Sequence, residues 1–159
     1  MAGAYHTRGK IHLDDLFLQQ DFSWQEALYQ AKLANVLFTY ALARKLKNTG
    51  IRVNCLHPGA VRTGMVLRTK GFSFWSKLLY RMLSPFFRSP AKGAETILWL
   101  ATDPEAKDFT GKYFIDKKAV KSSPTSYDTE LQDQLWSASL RLTHLEAFDN
   151  VSVLFAHSN

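Results

Sequence analysis

Tyr29-Gln-Ala-Lys32-Leu-Ala-Asn-Val-Leu-Phe-Thr-Tyr-Ala-Leu-Ala-Arg44 leads into Ile51-Arg-Val-Asn-Cys-Leu-His-Pro-Gly59, and these two segments decide the fold. The first reads as a helix that carries a tyrosine and a lysine. Ser23-Trp-Gln-Glu26 ahead of it is a capping box: Ser23 accepts from the amide three residues on, and Glu26 reaches back. Phe22 is placed to staple onto Ala27, and Gly50 to end the helix after about Lys47. Ala27, Ala31, Ala34, Phe38, Ala41 and Leu42 recur at helical spacing and predict the packed face. The second segment is a short apolar, β-branched strand, stopped by Pro58 and turned by Gly59. Helix, brief loop and buried strand form half of a βαβ unit, which implies a parallel sheet.

Working outward, residues 1–21 read as loop with one short extended piece within Gly9–Leu16. Residues 64–88 form an unusually aromatic amphipathic helical stretch, with Phe72, Phe74, Trp75, Leu78 and Leu79 among Lys77, Arg81 and Arg88. Ser89-Pro90 starts another helix that stops before Pro104. Gly111–Asp116 reads as a strand and Lys117–Pro124 as a basic connector. A last helix spans about Ser126 to Leu142, with Leu131, Leu135, Ala138 and Leu142 on one face. The order is helix, strand, helix, helix, strand, helix. So few strands cannot make a sheet that buries both faces well, so the chain reads as part of a larger α/β sheet. Residues 1–142 form one structural portion, and 143–159 a tail without pattern.

The chain has 159 residues, 46% hydrophobic and 21% charged, as in ordinary globular domains. No apolar run reaches the roughly 18 residues that span a bilayer, and no signal-peptide pattern follows Met1. Cys55 is the single cysteine, which excludes an intrachain disulfide and a cysteine-based zinc site. No metal site is expected. The net charge of +6 is spread over all elements, which argues against nucleic acid. It leaves an anionic membrane surface or a pocket for a phosphorylated cofactor open. His57 and Cys55 have no partner cluster and read as core residues. Asn150-Val-Ser152 fits a glycosylation pattern, but nothing indicates secretion. No Gly-x-Gly-x-x-Gly and no Gly-x-x-x-x-Gly-Lys-Ser/Thr occurs in the chain.

Four ordered segments carry a family resemblance: Lys32-Leu-Ala-Asn-Val-Leu-Phe, Asn54-Cys-Leu-His-Pro-Gly59, Gly93-Ala-Glu-Thr and Gly111-Lys-Tyr-Phe114. From about Gly9 to Leu142 the chain resembles the short-chain dehydrogenase/reductase family, near its retinol-dehydrogenase-like branch. The resemblance implies the C-terminal part of a Rossmann-like doubly wound parallel sheet. The N-terminal cofactor-binding half, with its glycine-rich turn, Asn-Ala-Gly segment and catalytic serine, is then missing from these residues. The implied activity is hydride transfer between NADP(H) or NAD(H) and a hydrophobic, retinol-like alcohol or ketone.

In the family a Tyr-x-x-x-Lys pair sits on the helix. A phenol titrates near 10, and an ammonium one turn away favours the phenolate. Here Leu28 stands four residues before Lys32 and Tyr29 is one place late, about 100° around the helix. Ala31 replaces the small hydroxyl that precedes the lysine. The implied catalytic residues are Lys32 and Tyr29; the implied cofactor contacts are Lys32, Pro58, Gly59, Val61 and Thr63. The aromatic stretch corresponds to the family's substrate lid, with core packing and a membrane-surface helix as the other readings. A non-catalytic fragment that binds a partner or a full-length homologue through its unpaired sheet edge is the alternative function, and a homo-oligomer is compatible with it. The expected location is cytoplasmic, or membrane-associated if a longer protein carries an N-terminal anchor.

Overall fold

In the computed structural model, residues 1–69 and 73–145 are described. Helix α1 spans Trp24–Lys45 and is capped by Ser23, whose hydroxyl accepts from the Glu26 amide at 3.5 Å. The reciprocal half of the capping box does not form. Glu26 Oε1 turns instead to His12 Nε2, 3.1 Å away, and so ties the N-terminal loop to the helix. Phe22 stays 70% exposed, so the expected staple does not bury it.

The packed face of α1 is also rotated from the expected stripe. Leu33, Val36, Leu37, Tyr40 and Ala41 are buried, whereas Ala31 and Phe38 face outward. The reason is that α1 is covered on two sides. Val36 and Tyr40 pack with Ala2, Cys55 and Tyr113 on the sheet side. Leu33 and Leu37 pack with Leu135 of helix α5, Thr129–Thr143. Each such aliphatic side chain is worth ~1.5–3 kcal/mol on full burial, and this pair of clusters is the core.

Strand β1, Cys55–His57, pairs in parallel with β2, Tyr113–Ile115, as expected. The register sets Leu56 opposite Phe114. Residues 51–54 fall short of regular strand because the Asn54 side chain takes over the pairing. Its Nδ2 donates to the Phe109 carbonyl and its Oδ1 accepts from the Lys112 amide.

Beyond β2 the expected basic connector is a third strand, β3, Lys118–Val120, antiparallel to β2. The sheet is therefore mixed, not wholly parallel, in the order β1-β2-β3. Asp116 and Lys117, with φ of 50° and 63°, make the two-residue hairpin turn. That geometry usually recruits Asn-Gly or Asp-Gly, so Asp-Lys gave no warning of it.

On the other edge of β1 the Ala2 amide donates to the Leu56 carbonyl at 3.0 Å. The N-terminal segment thus meets the sheet at Ala2. Gly9–Leu16, where an extended piece was expected, is turn and coil, and Ala4–Arg8 form a 3-10 turn.

The expected helical stretch 64–88 divides into α2, Met65–Arg68, and α3, Phe74–Leu83, followed by a 3-10 turn. Helix α3 buries no residue, which overturns the core-packing reading of this stretch. Helix α4, Pro90–Thr102, starts at Ser89 as expected. The last helix starts later than expected, after a 3-10 turn at Pro124–Tyr127. On its face Leu135 and Ala138 are buried, while Leu142 is 53% exposed. Asn150-Val-Ser152 and most of the tail lie outside the described residues.

Candidate active site

Lys32 and the end of β1 meet across the N-terminal segment. Ala2 is bonded to Leu56, and the aliphatic part of Lys32 lies against the next residue, Gly3, where an added Cβ would be 3.6 Å from Lys32 Cδ. The Gly3 carbonyl accepts from Tyr113 Oη at 3.2 Å and sits 2.7 Å from His6 Nδ1. The Ser123 amide donates to His6 Nε2, so Nε2 is the acceptor nitrogen and Nδ1–H donates to Gly3. This network fixes the segment beneath Lys32. Tyr29 lies on the same helix with its ring stacked on Tyr5, centroids 5.5 Å apart. It is half-buried, as are Leu28 and Lys32.

The Pro58–Thr63 turn is held from outside. The Arg88 amide donates to the Ala60 carbonyl, and the Arg88 carbonyl accepts from the Arg62 amide, both at 2.9 Å. The Arg88 guanidinium lies over Gly59, where a Cβ would come within 2.7 Å of Nε. Both carboxylate oxygens of Asp116 bond that guanidinium, the Nη2–Oδ2 pair at 2.8 Å. Arg88 keeps the Asp116 carboxyl below its ordinary range, and Asp116 in turn raises Arg88. Val61 packs on Gly93 of α4, so closely that a Cβ there would lie 2.5 Å from a Val61 methyl. The Thr63 amide donates to Tyr80 Oη at 3.0 Å, and that hydroxyl donates to the Thr63 carbonyl.

At Gly59 the structure supplies two further reasons for glycine. The space a side chain would fill is taken by Arg88, and φ of 81° independently favours glycine.

His57 ends β1 and is only half-buried as a residue, yet its Nδ1 is buried and has no partner among the described residues. Burial first, then the Arg88 charge, lowers its pKa and favours the neutral ring. Cys55 is core, as expected: burial pushes its thiol up to about 11. The sequence reading did not assign the contacts of Arg88, Asp116, Tyr80, His6 and Gly3. Their partners lie far along the chain, and no local pattern marks such pairs.

Compared with known proteins, residues 16–116 match a short-chain dehydrogenase family model described as enoyl-(acyl carrier protein) reductase. That match covers more than half of the chain. The chain belongs to the short-chain dehydrogenase/reductase family. Human retinol dehydrogenase 14 is 39% identical over 132 residues, covering 82% of this chain and 39% of that protein. Human retinol dehydrogenase 13 is 39% identical over 145 residues, covering 89% and 44%. Human polyprenol dehydrogenase is 35% identical over 147 residues, covering 90% and 43%. The chain thus spans less than half the length of these curated relatives. A crystal structure of an uncharacterized protein from Mycobacterium paratuberculosis superimposes with a TM-score of 0.62 at 24% identity. It covers 89% of this chain and 48% of that one, a likeness of fold.

The family's dinucleotide cofactor can be tested against these residues in two halves. For the nicotinamide these residues offer the Lys32 ammonium, the unpartnered His57 Nδ1 and the Thr63 side chain, exposed beside its Tyr80-bonded backbone. At the pyrophosphate end these residues supply no glycine-rich turn.

Proposed function

We propose that these residues are the C-terminal part of a Rossmann-like oxidoreductase, the part that faces the nicotinamide and the substrate. The reaction is hydride transfer between NADP(H) or NAD(H) and a hydrophobic alcohol or ketone, and the dinucleotide phosphates are held by residues outside the 159. The reading is carried by two linked contacts: Lys32 lies against Gly3, and the preceding Ala2 bonds Leu56, two residues before the clamped Pro58–Thr63 turn. The relatives' names supply the substrate class, a lipophilic alcohol.

When bound, the nicotinamide supplies or takes the hydride. Lys32 would hold the ribose hydroxyls through its ammonium. Thr63 would hold the carboxamide through its hydroxyl, and the Arg88–Asp116 pair keeps the Pro58–Gly59 backbone in place for it. Tyr29 would pass the proton to or from the substrate oxygen, less well placed for it than a tyrosine at position 28 would be.

The second reading, a non-catalytic chain that engages a partner or a full-length homologue, is favoured by one observation. Leu28 stands where the family's proton donor belongs, and Tyr29 is committed to a stack on Tyr5.

The test is a chimera joining the N-terminal half of retinol dehydrogenase 13 to residues 1–159. Turnover of a lipophilic alcohol that disappears with Lys32→Met supports the oxidoreductase. A folded chimera that binds cofactor and yet turns over nothing, with or without a tyrosine at position 28, supports the binding module.

A further inference from the structure

Helix α3 is fastened on one side and bare on the other. Tyr80 fastens it, through the two hydrogen bonds to the Thr63 backbone. At about 100° per residue, Phe74, Trp75, Leu78, Leu79, Met82 and Leu83 fall in one arc, with its middle ~150° from Tyr80. The arc therefore points away from the protein. Phe74 and Trp75 are each 73% exposed and Met82 is 67% exposed. Lys77 and Arg81 border the arc on the Phe74 side. From Val61 to Ala94 the sequence holds seven lysines and arginines and no acidic residue. Arg88 and Lys92 are paired, with Asp116 and Glu95. Lys77 and Arg81 are in no ion pair among the described residues.

We propose that this face of α3 lies in the headgroup layer of an anionic lipid bilayer. Phe74 and Trp75 would dip toward the acyl boundary while Lys77 and Arg81 meet lipid phosphates. Charge complementarity selects this occupant. A second copy seated on the same face would bring the same cations and no acid to answer them. An aromatic arc bordered by cations, on a helix whose apolar face no described residue buries, is the pattern of an in-plane interfacial helix. No helix among the described residues is long and apolar enough to cross a membrane, so the contact is one of lying on the surface.

The experiment is cosedimentation of the 159-residue chain with vesicles of phosphatidylcholine alone, and of phosphatidylcholine containing one-third phosphatidylserine. Binding is expected to the anionic vesicles and to weaken with salt. Lys77→Glu with Arg81→Glu should weaken it about tenfold or more, since each basic residue near such a surface contributes roughly fivefold. Phe74→Ser with Trp75→Ser should weaken it comparably, and Leu98→Ser on α4 should leave it unchanged. Circular dichroism should match across the set, because no altered side chain is buried. Equal binding to neutral vesicles, or full binding by both double variants, overturns the proposal. So does a dimer that the Phe74/Trp75 variant converts to monomer in a chain that binds no vesicle, which would assign the face to a second copy.

Discussion

The Cys55 thiol is a reporter of the core. It is 6% exposed among Ala2, Val36, Tyr40 and Tyr113, and burial raises it to about 11 from an ordinary value near 9. The unfolded chain ionises this thiol first as pH rises. Stability from it is thus intact below pH 9 and is lost between 9 and 11, an effect on the order of 2 kcal/mol. Tyr113, raised from 10 to about 12, adds to the loss only from pH 10 upward, so the slope between pH 9 and 10 belongs to Cys55. Thermal melts should fall steeply from pH 9 to 10, and Cys55→Ala should flatten that slope. At pH 8 the native thiol should resist iodoacetamide and react once denaturant is added; fast native alkylation would show that residues 2 and 36 do not cover it. The displaced tyrosine gives a second residue-scale prediction. In the retinol dehydrogenase 13 chimera, Leu28→Tyr should raise turnover by ~10²–10⁴, the usual worth of general acid–base assistance. Tyr29→Phe should cost less than Leu28→Tyr gains. If Tyr29→Phe abolishes turnover and Leu28→Tyr adds nothing, the proton donor is Tyr29 and the helical arithmetic has misplaced the site.

At the scale of elements, the turn after β1 is the piece most sensitive to a single methyl. Gly50 and Gly59 have similar φ, 79° and 81°, but nothing lies within 4 Å of a Cβ at Gly50, whereas Arg88 fills that space at Gly59. Gly50→Ala should therefore cost only the left-handed penalty of ~1–2 kcal/mol. Gly59→Ala should cost more and should also displace Arg88. Urea melts of both variants and of Arg88→Ala check this: Gly59→Ala should lose its excess cost when Arg88 is alanine, and a retained excess would contradict the clamp. The elements themselves were largely legible. Capping residues placed the starts of α1 and α4, and β-branched and apolar runs placed β1 and β2. What failed did so for tertiary reasons. The face of α1 was misread because alanine spacing does not reveal that two neighbours cover the helix. Strand β3 was missed because Asp116-Lys117 adopts left-handed turn geometry without glycine. Glu26 left its capping box because His12, fourteen residues away, offered a better partner. Lys32 and the Pro58–Thr63 turn could be named in advance, whereas the Arg88–Asp116 clamp depends on a contact between α4's entry and the β2–β3 hairpin.

The whole molecule is a core with open sides. One backbone bond from Ala2 covers the free edge of β1. A hollow of about 610 Å³ beside it is lined by residues including Leu56, Ile97 and Ala106, and Leu98 nearby is 59% exposed. Unpaired edges and exposed apolar surface favour association. The 159 residues alone should self-associate or melt early; a monomer in sedimentation with a cooperative, high-temperature melt would contradict this. A further half that completes the sheet would cover that edge and bring the phosphate-binding turn these residues lack. The most direct test of the account is a calorimetric titration of NADPH into residues 1–159, alone and fused to the N-terminal half of retinol dehydrogenase 14. The account predicts millimolar or weaker binding alone, no better than about −4 kcal/mol, and micromolar binding, about −8 kcal/mol, in the fusion, weakened by Lys32→Met. Micromolar binding by the 159 residues alone, or a fusion that binds equally well without Lys32, would contradict it.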